Sequence, residues 1–296
     1  TDMDYEVDYF EGKTRKILVL GSGGQVGAYL TEYLRCADVE VMEFDITNGP
    51  DQDMTVIPNG ELEAKIYMAD FVYFLAFDVG GSHYLKKYQH TFNFIDNNTR
   101  LMANAFGLIE KYKKPFVFAS SQMSNMSYSP YGVLKRVGEL YTKSLGGLIV
   151  KFWNVYGIEK DMDKAHVITD FIRKGFETGV IDMMTDGTEA REFLYAEDCC
   201  EALETVMDEY DNLSCDDELH ITTGVYTTVL EIAEEIKSLF FSIGKKITVI
   251  PDEKKDSVQR DARNVPDPYI KEFWQPTTSV KEGLKKVFEE MKKDYE

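Results

Sequence analysis

The chain has 296 residues, 44% hydrophobic and 29% charged, as expected of a folded protein with one large core or a core plus a smaller lobe. Its formal net charge of −19 argues against a broad basic surface for nucleic acid or anionic membranes, but not against local phosphate binding. No apolar stretch approaches the ~20 residues of a membrane span, and the four cysteines lack disulfide or metal-ligand spacing, so we expect a cytoplasmic protein without a metal site.

From residue 14 onward, short apolar segments typical of buried strands alternate with helical segments. Residues 1–13 are acidic and aperiodic, and we treat them as a tail with little information on the fold. The predicted strands are Lys16–Leu20, Val39–Asp45, Phe71–Ala76, Lys114–Ala119 and Leu148–Phe152. Because parallel strands need crossover connections, the alternation predicts an α/β fold with a Rossmann-like, doubly wound parallel sheet.

The alternation loosens after residue 157. Helices are predicted over 166–178, 228–241 and 278–294, with short strands between them. We therefore predict a Rossmann domain built from residues 14–157 and roughly 189–224. The remainder, roughly 158–188 and 225–296, is predicted to form a smaller C-terminal substrate-binding lobe.

A glycine-rich turn joins the first strand to the first helix. Gly21, Gly24 and Gly27 form G-x-x-G-x-x-G, which lets a backbone turn tightly and approach a pyrophosphate at a helix N-terminus. Asp45 lies 18 residues beyond Gly27, where a carboxylate accepts both ribose hydroxyls and repels a 2′-phosphate. No Arg follows it closely, so the pattern predicts NAD rather than NADP. The alternatives are a turn without a ligand, and a turn-capping role for Asp45.

A second pattern predicts proton-transfer chemistry. Tyr131 and Lys135 form Y-x-x-x-K on a predicted helix, and this spacing places both side chains on one face. A nearby ammonium and the nicotinamide charge favour the phenolate, which would lower the Tyr131 pKa toward the working pH and suit it to a carbinol–ketone pair. The pattern alone is common on surface helices. Here it follows a strand that ends in Ser120 and Ser121, and this order favours a catalytic set of Ser121, Tyr131 and Lys135.

Taken together, residues 15–290 resemble the extended short-chain dehydrogenase/reductase family, in particular its nucleotide-sugar epimerases, dehydratases and reductases. The segments that carry the resemblance, besides those above, are Asp70–Ala76, Asn98-Thr99, Lys151–Gly157, Gly187–Asp198, His220–Gly224 and Trp274–Pro276. Lys151 stands where the family usually has Arg. The resemblance implies a nucleotide-diphosphate sugar as substrate and a homodimer formed through paired helices.

The same resemblance implies roles for individual residues. Asn154 and Arg191 should contact the substrate diphosphate, since the Arg fork matches phosphate oxygens. The other implied substrate contacts are Gly80, Gly81 and His166. The implied cofactor contacts are Gln25, Val26, Leu75, Ala76, Tyr131 and Lys135, beside the glycines and Asp45.

The sequence also departs from the family pattern. Gln122 and Met123 replace the acidic residues of the dehydratases, and neither exchanges a proton at neutral pH, so dehydration is disfavoured. Two-base epimerases resembling GDP-fucose synthase and GDP-mannose 3,5-epimerase place a Cys there. Phe77–Gly81 nevertheless resembles their glycine-rich loop, and Lys164 and His166 resemble their acid, although both side chains could equally belong to a surface loop.

The segment between Ser121 and Tyr131 is shorter than the family norm. Only ten positions separate the two residues, so either the site is unusually open or the hydroxyl partner is Ser120 or Ser124. We predict an NAD-dependent nucleotide-sugar 4-epimerase that oxidises C4 transiently and returns hydride. The alternatives are a 4-ketoreductase or 3,5-epimerase of the same family, and a non-catalytic NAD-binding regulatory protein.

Overall fold

A six-stranded parallel sheet forms the centre of the computed structural model, which describes residues 14–258 and 264–296. The predicted tail at residues 1–13 lies outside the described residues. In spatial order the strands are β10 (Leu219–Ile221), β5 (Leu148–Phe152), β4 (Phe116–Ser121), β3 (Phe71–Phe74), β1 (Arg15–Leu20) and β2 (Val39–Phe44). All five pairings are parallel, which confirms the predicted α/β class.

Helices cover both faces of the sheet and explain why the strands are continuous apolar runs. Every residue of β3 and of β4 is buried, as expected of parallel strands enclosed on two sides. In the first part of the chain the helices are α1 (Gln25–Arg35), α2 (Gly60–Met68), α3 (Ser82–Tyr88), α4 (Phe92–Tyr112) and α5 (Pro130–Leu145). Among the described residues, no helix is both long and apolar enough to cross a membrane.

Strand β4 begins two residues later than the sequence predicts. Lys114 donates its backbone N–H to Ile109 in the last turn of α4, so it still packs on the helix end, and Pro115 leads into the strand, with its carbonyl accepting from Val72 of β3. At its other end the strand includes Ser120 and Ser121, so the two hydroxyls lie at its carboxyl end.

The sixth strand, β10, is absent from the predicted set. It has only three residues, too few for a hydrophobic pattern to show, and it pairs with β5 through Leu219 and Ile221. The remaining small strands form three pairs. These are β6 (Asn154–Tyr156) with β9 (Phe193–Tyr195), β7 (Val180–Asp182) with β12 (Thr248–Ile250), and β8 (Ala190–Arg191) with β11 (Thr227–Thr228).

A separate hydrophobic cluster lies among the helices of the predicted smaller lobe. Its helices are α6 (Val167–Thr178), α8 (Val229–Ser242) and α9 (Val280–Lys292), all within two residues of the predicted bounds, while α7 (Ala196–Asp208) packs on α1. Ile172, Phe240 and Phe288 are buried at its centre. Ile270 and Trp274, which the predicted division assigns to this lobe, are buried with residues of the main sheet. The division into two domains stays a prediction.

The order of the strands determines where a ligand is expected. The connection from β1 runs to one side, to β2, and the chain then crosses back to β3 on the other side of β1. In open α/β sheets the crevice at such a switch point, beyond the carboxyl ends of the strands, is the usual binding site. Three segments begin at this crevice: the glycine turn after β1, Asp45 after β2 and Leu75 after β3. The carboxyl end of β4 lies there as well.

Candidate active site

The glycine turn between β1 and α1 is packed too closely for side chains. Gly21 has φ +89°, and a Cβ at Gly27 would lie 2.0 Å from the Gly21 carbonyl oxygen. A Cβ at Gly21 would lie 2.6 Å from the Ala76 backbone nitrogen. Glycine is therefore required at both positions, and Leu75 and Ala76, which follow β3, lie directly beside the turn.

The turn also presents polar groups without protein partners. Gly24 caps α1 without a side-chain hydrogen bond, so the amides of the first turn, which includes Gln25 and Val26, are uncapped. Within the described residues, the buried Ser22 Oγ and Gln25 Nε2 have no hydrogen-bond partner. A buried polar group of this kind normally has a partner, and a helix N-terminus attracts anions. The turn therefore fits the pyrophosphate of a dinucleotide.

Asp45 is held beside this turn at the end of β2. Its Oδ2 accepts the Gly23 N–H at 2.9 Å, and its Oδ1 accepts the Thr47 N–H at 2.9 Å and hydroxyl at 2.6 Å. The carboxylate is half-buried and caps the short helix Ile46–Asn48. It thus has the capping role and also lies against the glycine turn, where a ribose would bind.

We expect the protein to bind NAD more tightly than NADP, because the Asp45 carboxylate would repel a 2′-phosphate. Asp45→Ala should weaken NAD binding by roughly tenfold, since a charge-assisted hydrogen bond contributes about 1.5–3 kcal/mol. It should also reduce the preference between the two cofactors. Dissociation constants for both, measured by calorimetry, test this prediction.

Asp53→Ala is a matched control for that experiment. Asp53 Oδ1 accepts the Thr55 N–H at 2.9 Å and hydroxyl at 2.6 Å, the same local turn that Asp45 makes with Thr47. This variant should leave the cofactor preference unchanged. Equal affinity of the unmodified protein for NAD and NADP would show that Asp45 does not face the ribose.

Ser121 and Tyr131 line the same cleft. Ser121 ends β4 and accepts the Met123 N–H at 3.1 Å, which fixes its side chain. Tyr131 lies in the first turn of α5, whose start is anchored by Gln89: the Gln89 Oε1 accepts the Ser129 hydroxyl at 2.9 Å and the Tyr131 N–H at 3.2 Å. The tyrosine is 9% exposed, with Ser121 as its neighbour in the cleft wall.

The environment of Tyr131 differs from the expectation. Burial raises the pKa of Tyr131 to about 12, while a hydrogen bond with the Ser121 side chain lowers it less strongly. The Lys135 ammonium lies 5.8 Å from the centre of the Tyr131 ring. The protein alone therefore keeps Tyr131 neutral, as a proton donor; the predicted phenolate would need the nicotinamide charge.

Lys135 is buried behind the cleft. Its Nζ donates to the Ala119 carbonyl at 2.7 Å and lies 3.9 Å from the centre of the Phe77 ring. Burial lowers the pKa of Lys135 to about 7, and the negative charge of Glu139 opposes this shift. A cation within reach of the end of β4 fits a ligand with vicinal hydroxyls, such as the nicotinamide ribose.

The structure separates Ser121 from the other two serines considered as its replacement. Ser120 donates to Glu139 at 2.6 Å and is 1% exposed, so its hydroxyl is engaged away from the cleft. Ser124 is buried in the short helix Gln122–Asn125 and does not line the cleft. The short segment between Ser121 and Tyr131 consists of this helix and a turn in which the Ser129 N–H donates to the Met126 carbonyl.

The cleft has a volume of about 670 Å³ and lies between the sheet and the smaller lobe. All the residues predicted to contact substrate line it, namely Gly80, Gly81, Asn154, His166 and Arg191. A Cβ at Gly81 would lie 2.9 Å from the His166 Cα, so the loop after β3 packs directly against the start of α6. The fold thus joins positions that lie more than 100 residues apart.

Positive charge is concentrated in this cleft. The described residues that line it include seven Lys or Arg and four Asp or Glu. The whole chain has the opposite balance, with 33 Lys or Arg and 52 Asp or Glu. A cleft of one sign attracts ligands of the opposite sign. Arg191 pairs with Asp256 at 2.5 Å, and the buried Asn154 Oδ1 has no partner in the described part of the chain. The site therefore fits an anionic, oxygen-rich ligand.

Sequence reasoning missed several residues that shape the site. Gln89 anchors the catalytic helix, Glu139 holds Ser120, Asp256 pairs with Arg191, and Glu159 pairs with His166. None of these residues belongs to a recognisable motif. Only the i, i+4 spacing of Lys135 and Glu139 could have indicated one of them.

The chain resembles known proteins along most of its length. The family model described as "NAD dependent epimerase/dehydratase family" matches residues 17–221. UDP-glucuronic acid decarboxylase 1 of Danio rerio is 24% identical over 98% of this chain and 76% of its own length. A putative UDP-glucose 4-epimerase of Methanocaldococcus jannaschii is 30% identical, over 54% of this chain and 53% of its own.

A solved structure shows the same fold. The UDP-glucose 4-epimerase of Thermotoga maritima, solved with UDP-glucose, has a TM-score of 0.80 and 20% sequence identity. The match covers 95% of this chain and 100% of that one. At this identity the likeness concerns the fold alone.

Proposed function

The chain belongs to the NAD-dependent epimerase/dehydratase family, and from this premise we propose that it is a nucleotide-sugar 4-epimerase. NAD is its cofactor. The observation that carries the proposal is the joint position of Ser121 and Tyr131 in the wall of a positively charged cleft, with Lys135 behind them. The names of the relatives, which include UDP-sugar epimerases and decarboxylases, support a nucleotide sugar as the ligand.

In the proposed mechanism the protein handles the proton of the C4 hydroxyl. As a phenolate, the form that the nicotinamide charge of bound NAD would favour, Tyr131 would accept this proton as C4 is oxidised; as the neutral phenol it would then donate the proton back when C4 is reduced. Ser121 holds the same oxygen by a hydrogen bond, and Arg191 and Asn154 bind the diphosphate. When bound, NAD would supply the hydride acceptor and donor, and inversion at C4 would require the keto sugar to turn in the cleft between the two transfers.

The residues that follow Ser121 disfavour dehydration. Gln122 and Met123 line the cleft there, and neither transfers a proton. The Gln122 carbonyl accepts the Asn264 amide at 2.8 Å, and the two side-chain amides are also hydrogen-bonded. A carboxamide fixed in this way cannot replace the acid of a dehydratase.

One observation favours a second candidate, a 3,5-epimerase or a related 4-ketoreductase. His166 lines the same cleft with its imidazole paired to Glu159, so an acid is available near the sugar. A 3,5-epimerase also needs a base at carbon. Met123 stands where the related two-base epimerases place a Cys, which is why the 4-epimerase is the leading proposal.

We expect no carbon-bound deuterium in the product when the reaction runs in D₂O. A 4-epimerase returns the hydrogen that it removed, so carbon-bound hydrogen never exchanges with solvent. UDP-glucose, UDP-glucuronic acid and a 4-keto GDP-sugar would be incubated with the protein and NAD, and the products analysed by mass spectrometry. Inversion at C4 without label supports the proposal.

Two other outcomes of this experiment would contradict it. Deuterium at C3 or C5 that is lost in His166→Ala or Lys164→Ala would establish the 3,5-epimerase. Tight retention of NAD without conversion of any nucleotide sugar would favour the non-catalytic NAD-binding alternative.

We further propose that the protein is a homodimer through α4 and α5. These helices pack on each other and expose a row of apolar side chains. The row contains Ile95, Val133, Val137, Leu140 and Tyr141, each between 37% and 54% exposed. The α5 members recur at helical spacing along one side, as expected of a face that packs on a partner.

We expect Leu140→Asp to convert the protein to a monomer, because it would place a charge inside an apolar interface. Sedimentation velocity should show the mass fall by half. Phe241→Asp is the control, since Phe241 is 75% exposed on α8, outside this row. A monomeric unmodified protein would contradict the proposed dimer.

A further inference from the structure

An ion pair in the cleft wall is not used by the proposed mechanism. His166 Nδ1 lies 2.5 Å from Glu159 Oε1. The Glu159 side chain is 7% exposed, whereas that of His166 is 36% exposed and lines the cleft. The carboxylate thus lies behind the imidazole, on the side away from the cavity.

Both oxygens of Glu159 are engaged by the start of α6. Oε2 accepts the His166 backbone N–H at 2.8 Å and is hydrogen-bonded to the Thr169 hydroxyl. One carboxylate therefore holds the backbone and the ring of His166 together and fixes the orientation of the ring. Because Nδ1 faces Glu159, Nε2 is the ring nitrogen left for a ligand; it has no partner among the described residues.

Three of the other charged groups near the imidazole, Lys164, Asp170 and Asp78, are engaged in ion pairs that do not include the ring. Lys164 lies 3.3 Å from Asp78 and stacks over the Tyr84 ring. Asp170, one turn along α6, pairs with Arg173 and Lys174. Asp163, from the preceding turn, and Lys86 and Lys87, from α3 across the cleft, line the cavity with His166. Glu159 is the charged group in direct contact with the ring.

The charges of the pair support each other. Burial lowers the pKa of His166, but the charge of Glu159 and its hydrogen bond raise it more, so the pKa lies above its usual value. Burial likewise raises the pKa of Glu159, and His166 and Thr169 outweigh it, so that pKa is lowered. Both shifts favour the charged form of the pair.

We propose that Glu159 is a positioning residue that orients His166 as an imidazolium, so that Nε2–H is a charged hydrogen-bond donor to an oxygen of the ligand in the cleft. The inference rests on the proposed function only in taking a nucleotide sugar as this ligand. It adds a residue outside the Ser121, Tyr131 and Lys135 set, and it assigns the donor role to one ring nitrogen.

The experiment follows the protonation of His166 directly. The chain has four histidines, so ¹⁵N-histidine labelling gives few signals, and His166→Asn assigns the one required. We expect the His166 signal to titrate at a lower pH in Glu159→Gln than in the unmodified protein, because the amide lacks the charge that favours the imidazolium. Thr169→Val removes one hydrogen bond to Glu159 but keeps its charge, and should titrate like the unmodified protein.

Binding of UDP-glucose across pH separates this role from a purely structural one. At a pH below both titration midpoints, where His166 is protonated in both proteins, Glu159→Gln should bind like the unmodified protein; at a pH between the two midpoints it should bind roughly tenfold more weakly. His166→Asn should bind more weakly at both values. A weakening that is equal at every pH, together with a lowered melting temperature, would show a structural role and overturn the inference.

The titration also decides the inference independently of the substrate. An unchanged midpoint in Glu159→Gln would overturn it even if UDP-glucose binds. If UDP-glucose does not bind the unmodified protein, the proposed substrate fails, while a lowered midpoint would still establish that Glu159 charges His166.

Discussion

Tyr131→Phe should lower turnover by about 10²–10⁴-fold, because it removes the group that transfers the proton of the reacting hydroxyl. NAD affinity should stay nearly unchanged, since the ring remains in place against Phe77, with the ring centres 5.7 Å apart. Steady-state rates with the best nucleotide sugar, and calorimetric titration with NAD, measure the two effects separately.

Tyr141→Phe is the matched control for this substitution. Tyr141 lies on the same helix, 38% exposed and stacked on Phe106, so that its hydroxyl is remote from the cleft. Its loss should leave turnover unchanged. Normal activity of Tyr131→Phe would show that the Y-x-x-x-K pattern is only a helix face, and the proposed mechanism would fall with it.

Lys135→Met should abolish turnover and weaken NAD binding, and yet should stabilise the cofactor-free protein. The folded chain buries an ammonium, and this burial lowers the pKa of Lys135 from 10.5 to about 7. This displacement corresponds to about 5 kcal/mol. The lost hydrogen bond to Ala119 and the lost contact with Phe77 offset about 3 kcal/mol of it. The expected gain in the free energy of unfolding is about 2 kcal/mol.

The gain should depend on pH in a defined direction. Below pH 7 Lys135 is protonated in both the folded and the unfolded chain, so the full cost of burial is present. As pH rises from about 7 toward 10.5, the folded state has already lost the proton and the cost fades. Urea unfolding at pH 6.5 and pH 9 should therefore show a larger difference between Lys135→Met and the unmodified protein at the lower pH.

Glu139→Gln provides the comparison for this result. Glu139 raises the pKa of Lys135, so its neutralisation should disfavour the ammonium further. Because it also holds Ser120, this variant should lose stability. Destabilisation by Lys135→Met at pH 6.5 would mean that the hydrogen bond and ring contact outweigh the burial of the charge.

The sequence was sufficient to predict those features that depend on residues close together in the chain. The glycine turn is determined by Gly21 and Gly27, which allow no side chain, and the first and last glycines of G-x-x-G-x-x-G between a strand and a helix express that requirement directly. The parallel sheet could be predicted for the same reason, since β1, β3 and β4 are apolar runs separated by helical segments. The three-residue strand β10 was missed because its pattern is too short.

The tertiary structure alone decided which distant groups meet. Nothing in the sequence pairs Asp256 with Arg191, 65 positions away, because that contact depends on how loops from different elements fold over the cleft. Glu159 and His166 are only seven positions apart, but their contact depends on how the segment before α6 folds back on itself. The choice of Ser121 over Ser120 likewise follows from the alternation of a strand, which turns one hydroxyl toward the cleft and the other toward Glu139.

For Tyr131 and Lys135, the sequence likewise determined one part of the result and the tertiary structure the other. The sequence by itself determined that Tyr131 and Lys135 share a helix face, and through the family resemblance it indicated NAD and a nucleotide sugar. Burial, which is a property of the whole fold, decided the directions of the two pKa shifts: it raises the pKa of Tyr131 and lowers that of Lys135. The physical reason is that the cost of a buried charge depends on every group around it, while sequence spacing reports only the groups that are near in the chain.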